Sequence, residues 1–301
     1  MSAAPSSAPP RVGGAPVLVT GVPRSGTTWV ARTLAARPGV AMPGREPMNP
    51  ERDKGQYALA HTLDGWARLT RLTRGQRLAL RACYAGLEPR GYSRYGVRRW
   101  AAALPWTRVV VKDPYAMLSL PVVVEATGAI PVLVYRHPAA VLASYRRMGW
   151  RPDMAEIVQM PDFHRLRGAD ADPAEDDVAA MAQFWRFLNG LALDDLSSLP
   201  RHVVLSHAEL AAGGAAALGL LCARLGLTPP APEAAPPAAV SSPSARTSLH
   251  NLDRDPSGVA DGWRADVTED ELSRMEDLAG DVLEDLTARR LVLSADAEGG
   301  R

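Results

Sequence analysis

Residues 16–33, PVLVTGVPRSGTTWVART, constrain the fold of this chain more than any other stretch. Val17, Leu18 and Val19 form a short apolar run, the mark of a buried strand. Gly21-Val22-Pro23-Arg24-Ser25-Gly26-Thr27-Thr28 follows, and Trp29 to Ala36 read as a helix. A strand that breaks into a glycine-bearing loop and re-enters a helix gathers successive backbone N–H groups at one place, which makes an anion cradle. The Gly21-x4-Gly26 spacing matches a phosphate-binding loop. Loops that serve ATP or GTP continue with Lys and then Ser or Thr, the Lys reaching the β- and γ-phosphates. Here Thr27 and Thr28 occupy those places, and the cation, Arg24, lies inside the loop. The loop therefore suits an anion, but not the γ-phosphate of ATP.

Other apolar runs place further chemistry at strand ends. Val109-Val110-Val111 is β-branched throughout, as expected of a parallel strand covered on both faces, and it ends in Lys112-Asp113-Pro114. Only Lys54 and Lys112 among 34 basic residues are lysines, so a Lys at a strand end is notable. Ligands of open α/β sheets gather beyond the carboxyl ends of the strands, so Lys112 and Asp113 are expected to face the same crevice as the loop. A third strand, Ile130 to Tyr135, leads into Arg136-His137-Pro138, with Ser144 eight residues after Arg136. Pro138 fits the first turn of a helix, where its missing N–H costs nothing. A fourth strand, His202 to Leu205, precedes Ser206-His207-Ala208-Glu209, which also reads as a helix N-cap with its capping-box partner.

With strands near 16–20, 107–112, 130–135 and 202–206 separated by helices, the expected fold is α/β: a P-loop-like three-layer domain with a central, mostly parallel sheet flanked by helices. One domain over 16–290 is expected, between a disordered Ala/Pro/Ser leader at 1–15 and a flexible tail at 291–301. The Pro/Ala-rich run 228–245 reads as a loop inside that domain. Residues 37–53 carry four prolines and two glycines and read as a loop, and 54–104 as two or three helices dense in aromatics. Residues 150–173 read as a covering loop, and Asp176-Asp177 lie in the acidic first turn of a helix that runs to about Leu196. Thr268-x-x-Glu271 is a capping box, followed by an apolar stripe of Leu272, Met275, Ala279, Val282 and Leu286. The apolar stretch 210–227 contains glycines and Arg224 and reads as a buried helix rather than a membrane span. Net charge is +1, so there is no global field for nucleic acid or an anionic membrane, and any basic site is local. Cys83 and Cys222 match no ligand or redox spacing, consistent with a reducing cytoplasm.

The run Pro23-Arg24-Ser25-Gly26-Thr27-Thr28-Trp29 resembles the 5′-phosphosulfate loop of sulfotransferases that use 3′-phosphoadenosine 5′-phosphosulfate (PAPS). Arg136 with Ser144 resembles that family's 3′-phosphate site, where a guanidinium fork suits phosphate geometry. Gly44-Arg45-Glu46-Pro47 and Lys112-Asp113-Pro114 resemble the carbohydrate-type branch and some bacterial relatives. The cytosolic small-molecule branch instead carries Lys-x-His, and here Pro114 stands in place of that His.

The resemblance implies PAPS as cofactor, no metal, and a Glu46 general base with Asp113 in reserve. Against the Glu46 role stands an exposed glutamate paired with Arg45 or Arg52. The resemblance implies that Arg24 and Lys112 offset charge on the leaving oxygen, while Ser25, Gly26, Thr27 and Thr28 hold the 5′ group. It places Trp29 and His207 near the adenine, and Arg246 in a late loop that closes over the 3′-phosphate before Trp263-Arg264. The implied reaction is sulfuryl transfer to a hydroxyl, or an amine, of a carbohydrate or small-molecule acceptor, with no nucleic-acid or membrane partner. A P-loop small-molecule kinase with Asp113 on Mg²⁺, or a non-catalytic nucleotide-binding module, are the alternatives.

Overall fold

The computed structural model describes residues 13–50, 58–166, 176–230 and 262–293. The leader, the run 231–245 and Arg246 lie outside the described residues, apart from 13–15 of the leader.

Among the described residues there are six strands: β1 (Val17–Thr20), β2 (Val40–Gly44), β3 (Tyr92–Val97), β4 (Arg108–Lys112), β5 (Ile130–Tyr135) and β6 (Val203–Ser206). They form one sheet in the order β3-β2-β4-β1-β5-β6. β1 pairs in parallel with both β4 and β5, β2 pairs in parallel with β4, and β3 is antiparallel to β2. The helices are α1 (Thr27–Ala35), α2 (Arg74–Tyr84), α3 (Leu120–Thr127), α4 (Pro138–Met148), α5 (Met154–Ile157), α6 (Pro161–Leu166), α7 (Asp177–Ser197), α8 (His207–Leu225) and α9 (Glu269–Arg289). The fold is thus mixed α/β with a mostly parallel central sheet flanked by helices.

The four strands read as apolar runs are present at nearly the expected bounds. Two further strands replace expected loop and helix. β2 lies in the segment read as a loop, because Val40, Ala41 and Met42 are buried between two partner strands. Its Pro43 coincides with a register shift against β3, one of the few places where a sheet tolerates a missing N–H. β3 takes the end of the segment read as all helix. Its tyrosines and valine favour a half-buried pleated surface, and no buried helical face continues beyond α2. The segment read as a covering loop holds the short α5 and α6, with 167–175 outside the described residues.

The chain divides into two compact units, each discontinuous in sequence. The first comprises residues up to Gly21, Val30–Leu133 and Leu191–Val203. Its core is built on Leu18, Val19, Val110, Leu133, Leu34, Leu80, Met117 and Leu118, all fully buried. Arg68 clamps the buried Asp195 with two nitrogens, at 2.8 and 3.1 Å.

The second unit comprises Val22–Trp29, Val134–Gly190 and Val204 onward. Trp185, Phe184, Phe187, Leu221, Cys222, Met275 and Leu286 are buried there. The Thr268 and Glu271 side chains each bond the other's backbone N–H at the start of α9, the box expected from sequence. At α8 only half of such a box forms. The Ser206 hydroxyl accepts from Glu209 N at 3.3 Å, while the Glu209 carboxylate pairs with Arg290. α8 is the one helix among the described residues long and apolar enough, by length and composition, to cross a membrane. Gly214, at φ 52°, interrupts its helical geometry.

Removing the Thr268 hydroxyl tests how much a cap contributes here. Thr268→Ala is expected to lower unfolding free energy by about 1 kcal/mol, read as a shift in urea midpoint with unchanged slope.

Candidate functional site

In the second unit the anion loop and the two elements read as a phosphate site come together. The loop closes on itself through Ser25 N, which donates to Val22 O at 3.0 Å, and α1 begins at Thr27. Arg24 and Gly26 both take positive φ, 74° and 91°. For Gly26 the conformation is easy; for Arg24 it is costly and persists because its side chain is tied down. Arg24 Nε donates to Ser144 Oγ at 3.0 Å, and its guanidinium lies 5.6 Å from the centre of the Trp150 ring. Ser144 is buried on α4, whose first turn starts with Pro138 and is capped by His137 Nδ1 accepting from Ala139 N.

Arg136, at the end of β5, is nearly buried. Burial, then Arg147 and Arg24, pull its pKa down to about 10, so it stays charged at neutral pH. Trp185 Nε1 donates to the Arg136 carbonyl at 3.0 Å and fixes the strand end. A buried guanidinium within the field of two others suits an anion beside it. Ser25 Oγ, buried and without a hydrogen-bond partner among the described residues, is a ready donor for one.

His207 opens α8 and lies against the loop. A Cβ on Gly26 would sit 2.1 Å from His207 Cδ2, so the loop has no room for a side chain at that position. The Trp29 ring meets His207 edge-on at 5.3 Å. Burial, reinforced by Arg136, drops the His207 pKa to about 4, leaving the imidazole neutral. His207 is therefore a neighbour of Gly26 and Trp29 and backs the loop. Trp263 stacks on His137 at 5.0 Å, next in sequence to Arg136. Trp150 and Trp185 escaped assignment because each contact is distant in sequence and neither belongs to a local motif.

In the first unit a second cluster forms at the end of β4. Lys112 is in register with Val19, one residue before the end of β1. Asp113 N donates to Val19 O at 3.0 Å, and Thr20 Oγ1 donates to Asp113 O at 2.8 Å. Lys112 Nζ is ion-paired with one Glu46 oxygen, and Asn49 Nδ2 donates to the other. Both partners of the pair are mostly buried, so Glu46 is not an exposed loop glutamate.

Asp113 is fully buried, and its two oxygens accept Met48 N at 2.7 Å and Tyr115 N at 3.1 Å. It staples the Glu46-Pro47-Met48 turn to the end of β4. Burial, then the Glu46 charge, raise its pKa to about 8.

These shifts give stability a defined pH response. Asp113 binds a proton more tightly folded than unfolded, so its contribution is full below about pH 4 and is lost as pH rises through about 8. His207 and His137, both depressed to about 4, act oppositely: their contribution is present above about 6.5 and is lost as pH falls toward 4. Urea midpoints measured across pH are expected to decline on both sides, and Asp113→Asn is expected to flatten the alkaline limb alone.

The sulfotransferase family profile matches residues 16–228. No curated protein matches the chain. Among solved structures, the sulfotransferase domain from the Synechococcus PCC 7002 olefin synthase is similar at 16% identity, covering 87% of this chain and 94% of that one, with a TM-score of 0.46. With the family profile spanning the anion loop, both clusters and most of the described strands and helices, the chain belongs to the sulfotransferase family and is a sulfotransferase enzyme.

Proposed function

We propose that the enzyme transfers a sulfuryl group from PAPS to a hydroxyl, or an amine, of a carbohydrate or small-molecule acceptor. The observation that carries this reading is the grouping of Arg24 and Arg136, with Ser144 and the buried unpartnered Ser25 hydroxyl, around one loop and helix start. A single-anion site would need one such cation. Two neighbouring guanidiniums and the unpartnered Ser25 hydroxyl suit a ligand with phosphate groups at two positions, as an adenosine 3′-phosphate with a 5′-phosphosulfate has.

PAPS supplies the sulfuryl group. The backbone N–H groups of the loop and the Thr27 and Thr28 hydroxyls hold the 5′ end, and Arg136 with Ser144 takes the 3′-phosphate. Transfer forms an acceptor O–S bond and breaks the bond from sulfur to the bridging phosphate oxygen, which leaves with the electron pair. Glu46 takes the acceptor proton. Arg24 and Lys112 are the cations that offset charge on the leaving oxygen. Between the two carboxylates, Glu46 suits the base role better, because Asp113 is fully buried while the Glu46 side chain keeps some exposure to an incoming acceptor.

The competing kinase reading lacks support at the loop, where Thr27 and Thr28 replace the Lys-Ser/Thr pair. Competition calorimetry separates the two. PAPS is expected to bind and ATP with Mg²⁺ not to displace it; displacement by ATP at comparable concentration would favour a kinase. Gly26→Ala is expected to abolish nucleotide binding while the protein stays folded, since the new methyl meets His207 at a positive φ. Undiminished binding in that variant would remove the loop from the account.

A further inference from the structure

We propose that the first unit carries an interfacial anchor for anionic lipid membranes, at the end of the sheet opposite the Lys112–Glu46 pair. The net charge of +1 conceals an arginine-rich stretch. Between residues 65 and 112 the sequence holds ten arginines and Lys112 against Glu88; of these, Arg68, Arg77 and Lys112 pair outside the stretch with Asp195, Glu125 and Glu46, and Arg90 pairs with Glu88. Arg71, Arg74, Arg90, Arg94 and Arg98 in that stretch are exposed.

Large apolar side chains are exposed within the same stretch. Trp100 is 72% accessible, Trp106 62%, Leu87 61% and Leu104 39%. All four lie on turns: Leu87 just beyond α2, Trp100 in the tight turn Arg99–Ala101, and Leu104 and Trp106 in the turn before β4. The turns are braced against one another. Tyr92 OH donates to Gly86 O at 2.7 Å, and the Tyr92 ring meets Trp100 edge-on at 5.3 Å. A Cβ on Gly86 would lie 2.2 Å from Ala102 O, so the end of α2 is pressed onto that turn. Leu104 N donates to Ala101 O and Thr107 N to Leu104 O, both at 3.0 Å.

Cations flank these tips. The Arg99 guanidinium lies 5.0 Å from the centre of the Trp100 ring, and Arg98 donates to the carbonyls of Ala35 and Arg37. Arg201 is close enough to lower the Arg108 pKa, after burial. Arg108 starts β4 and Lys112 ends it, so the start of the strand, next to the Leu104–Trp106 turn, stands about 13 Å from the ion pair.

Indole and leucine side chains at the tips of turns need an apolar phase to enter, which a purely polyanionic partner does not offer. Tryptophan at headgroup level with arginine on anionic phosphates is how proteins lie on charged bilayers. The pairing of protruding apolar tips with the arginines beside them, Arg98 and Arg99, therefore favours a lipid surface over an acidic protein or a nucleic acid.

The test is co-sedimentation of the full chain with vesicles, which requires neither nucleotide nor turnover and so is independent of the donor assignment. Vesicles of phosphatidylglycerol with phosphatidylcholine are expected to take up the protein, and phosphatidylcholine alone to take up at least about tenfold less. The double variant Trp100→Ser/Trp106→Ser is expected to lose at least about tenfold in partition, with the far-UV circular dichroism spectrum and urea midpoint unchanged as evidence of an intact fold. Absence of uptake by the anionic vesicles overturns the proposal. So does uptake undiminished in the double variant, or uptake abolished by soluble poly-glutamate with no effect of the tryptophans, which would indicate an acidic macromolecule instead.

Discussion

Arg24→Ala is expected to lower PAPS-dependent transfer by at least about a hundredfold, the scale seen when one preorganised donor to a developing anion is removed. The side chain is held in place by Ser144 Oγ and the Trp150 face, on a backbone with positive φ. That cost in backbone strain is sustained only if the side chain has to be where it is. Most of the loss should fall on kcat, since the leaving oxygen gains charge only as the S–O bond breaks. Arg24→Lys should recover a part of it, because a point charge replaces a planar fork. Single-turnover release of adenosine 3′,5′-bisphosphate measures this without knowledge of the best acceptor's affinity. A loss no larger than about tenfold would count heavily against the assignment.

Glu46→Gln is expected to lower kcat by between about a hundredfold and ten-thousandfold, the range for a positioned general base. The substitution keeps shape and an oxygen for Lys112 while removing the proton acceptor. Asp113→Asn provides the control. It removes one of two acceptors from a buried staple, so it should lower stability and flatten the alkaline limb of the stability profile while leaving more activity than Glu46→Gln. If Asp113→Asn instead loses the acid limb of a kcat–pH profile and Glu46→Gln does not, the two roles are exchanged.

The sequence announced those parts of the fold whose cause is local. β1, β4 and β5 are short runs of buried apolar residues, and the loop from Gly21 to Thr28 carries its backbone requirement in its own glycines. Lys112 and Arg136 were readable as candidates because they follow such runs directly. β2 was hidden by Pro43 and Gly44, residues that break most strands; its pairing with β3 and β4 outweighs them. β3 was hidden by the helical pattern ahead of it.

The interior of the site was less legible than its motifs. The bond between Arg24 and Ser144 joins residues 120 apart, and that between Asp113 and Met48 residues 65 apart. Nothing in either neighbourhood names its partner. The same holds for Trp150 over Arg24 and Trp185 on the Arg136 carbonyl. A net charge near neutrality also masked the arginine-rich stretch, since its positive charge is cancelled elsewhere in the chain.

The central claim is that the donor is a nucleotide with a 3′-phosphate, held there by Arg136. Calorimetric affinities for adenosine 3′,5′-bisphosphate and adenosine 5′-monophosphate, in the wild type and in Arg136→Ala, test it most directly. The wild type is expected to prefer the bisphosphate by at least about a hundredfold, in keeping with charge-assisted contacts of a few kcal/mol, and Arg136→Ala to lose most of that preference. Equal affinity for the two nucleotides in the wild type, or a preference undiminished in Arg136→Ala, would contradict the account.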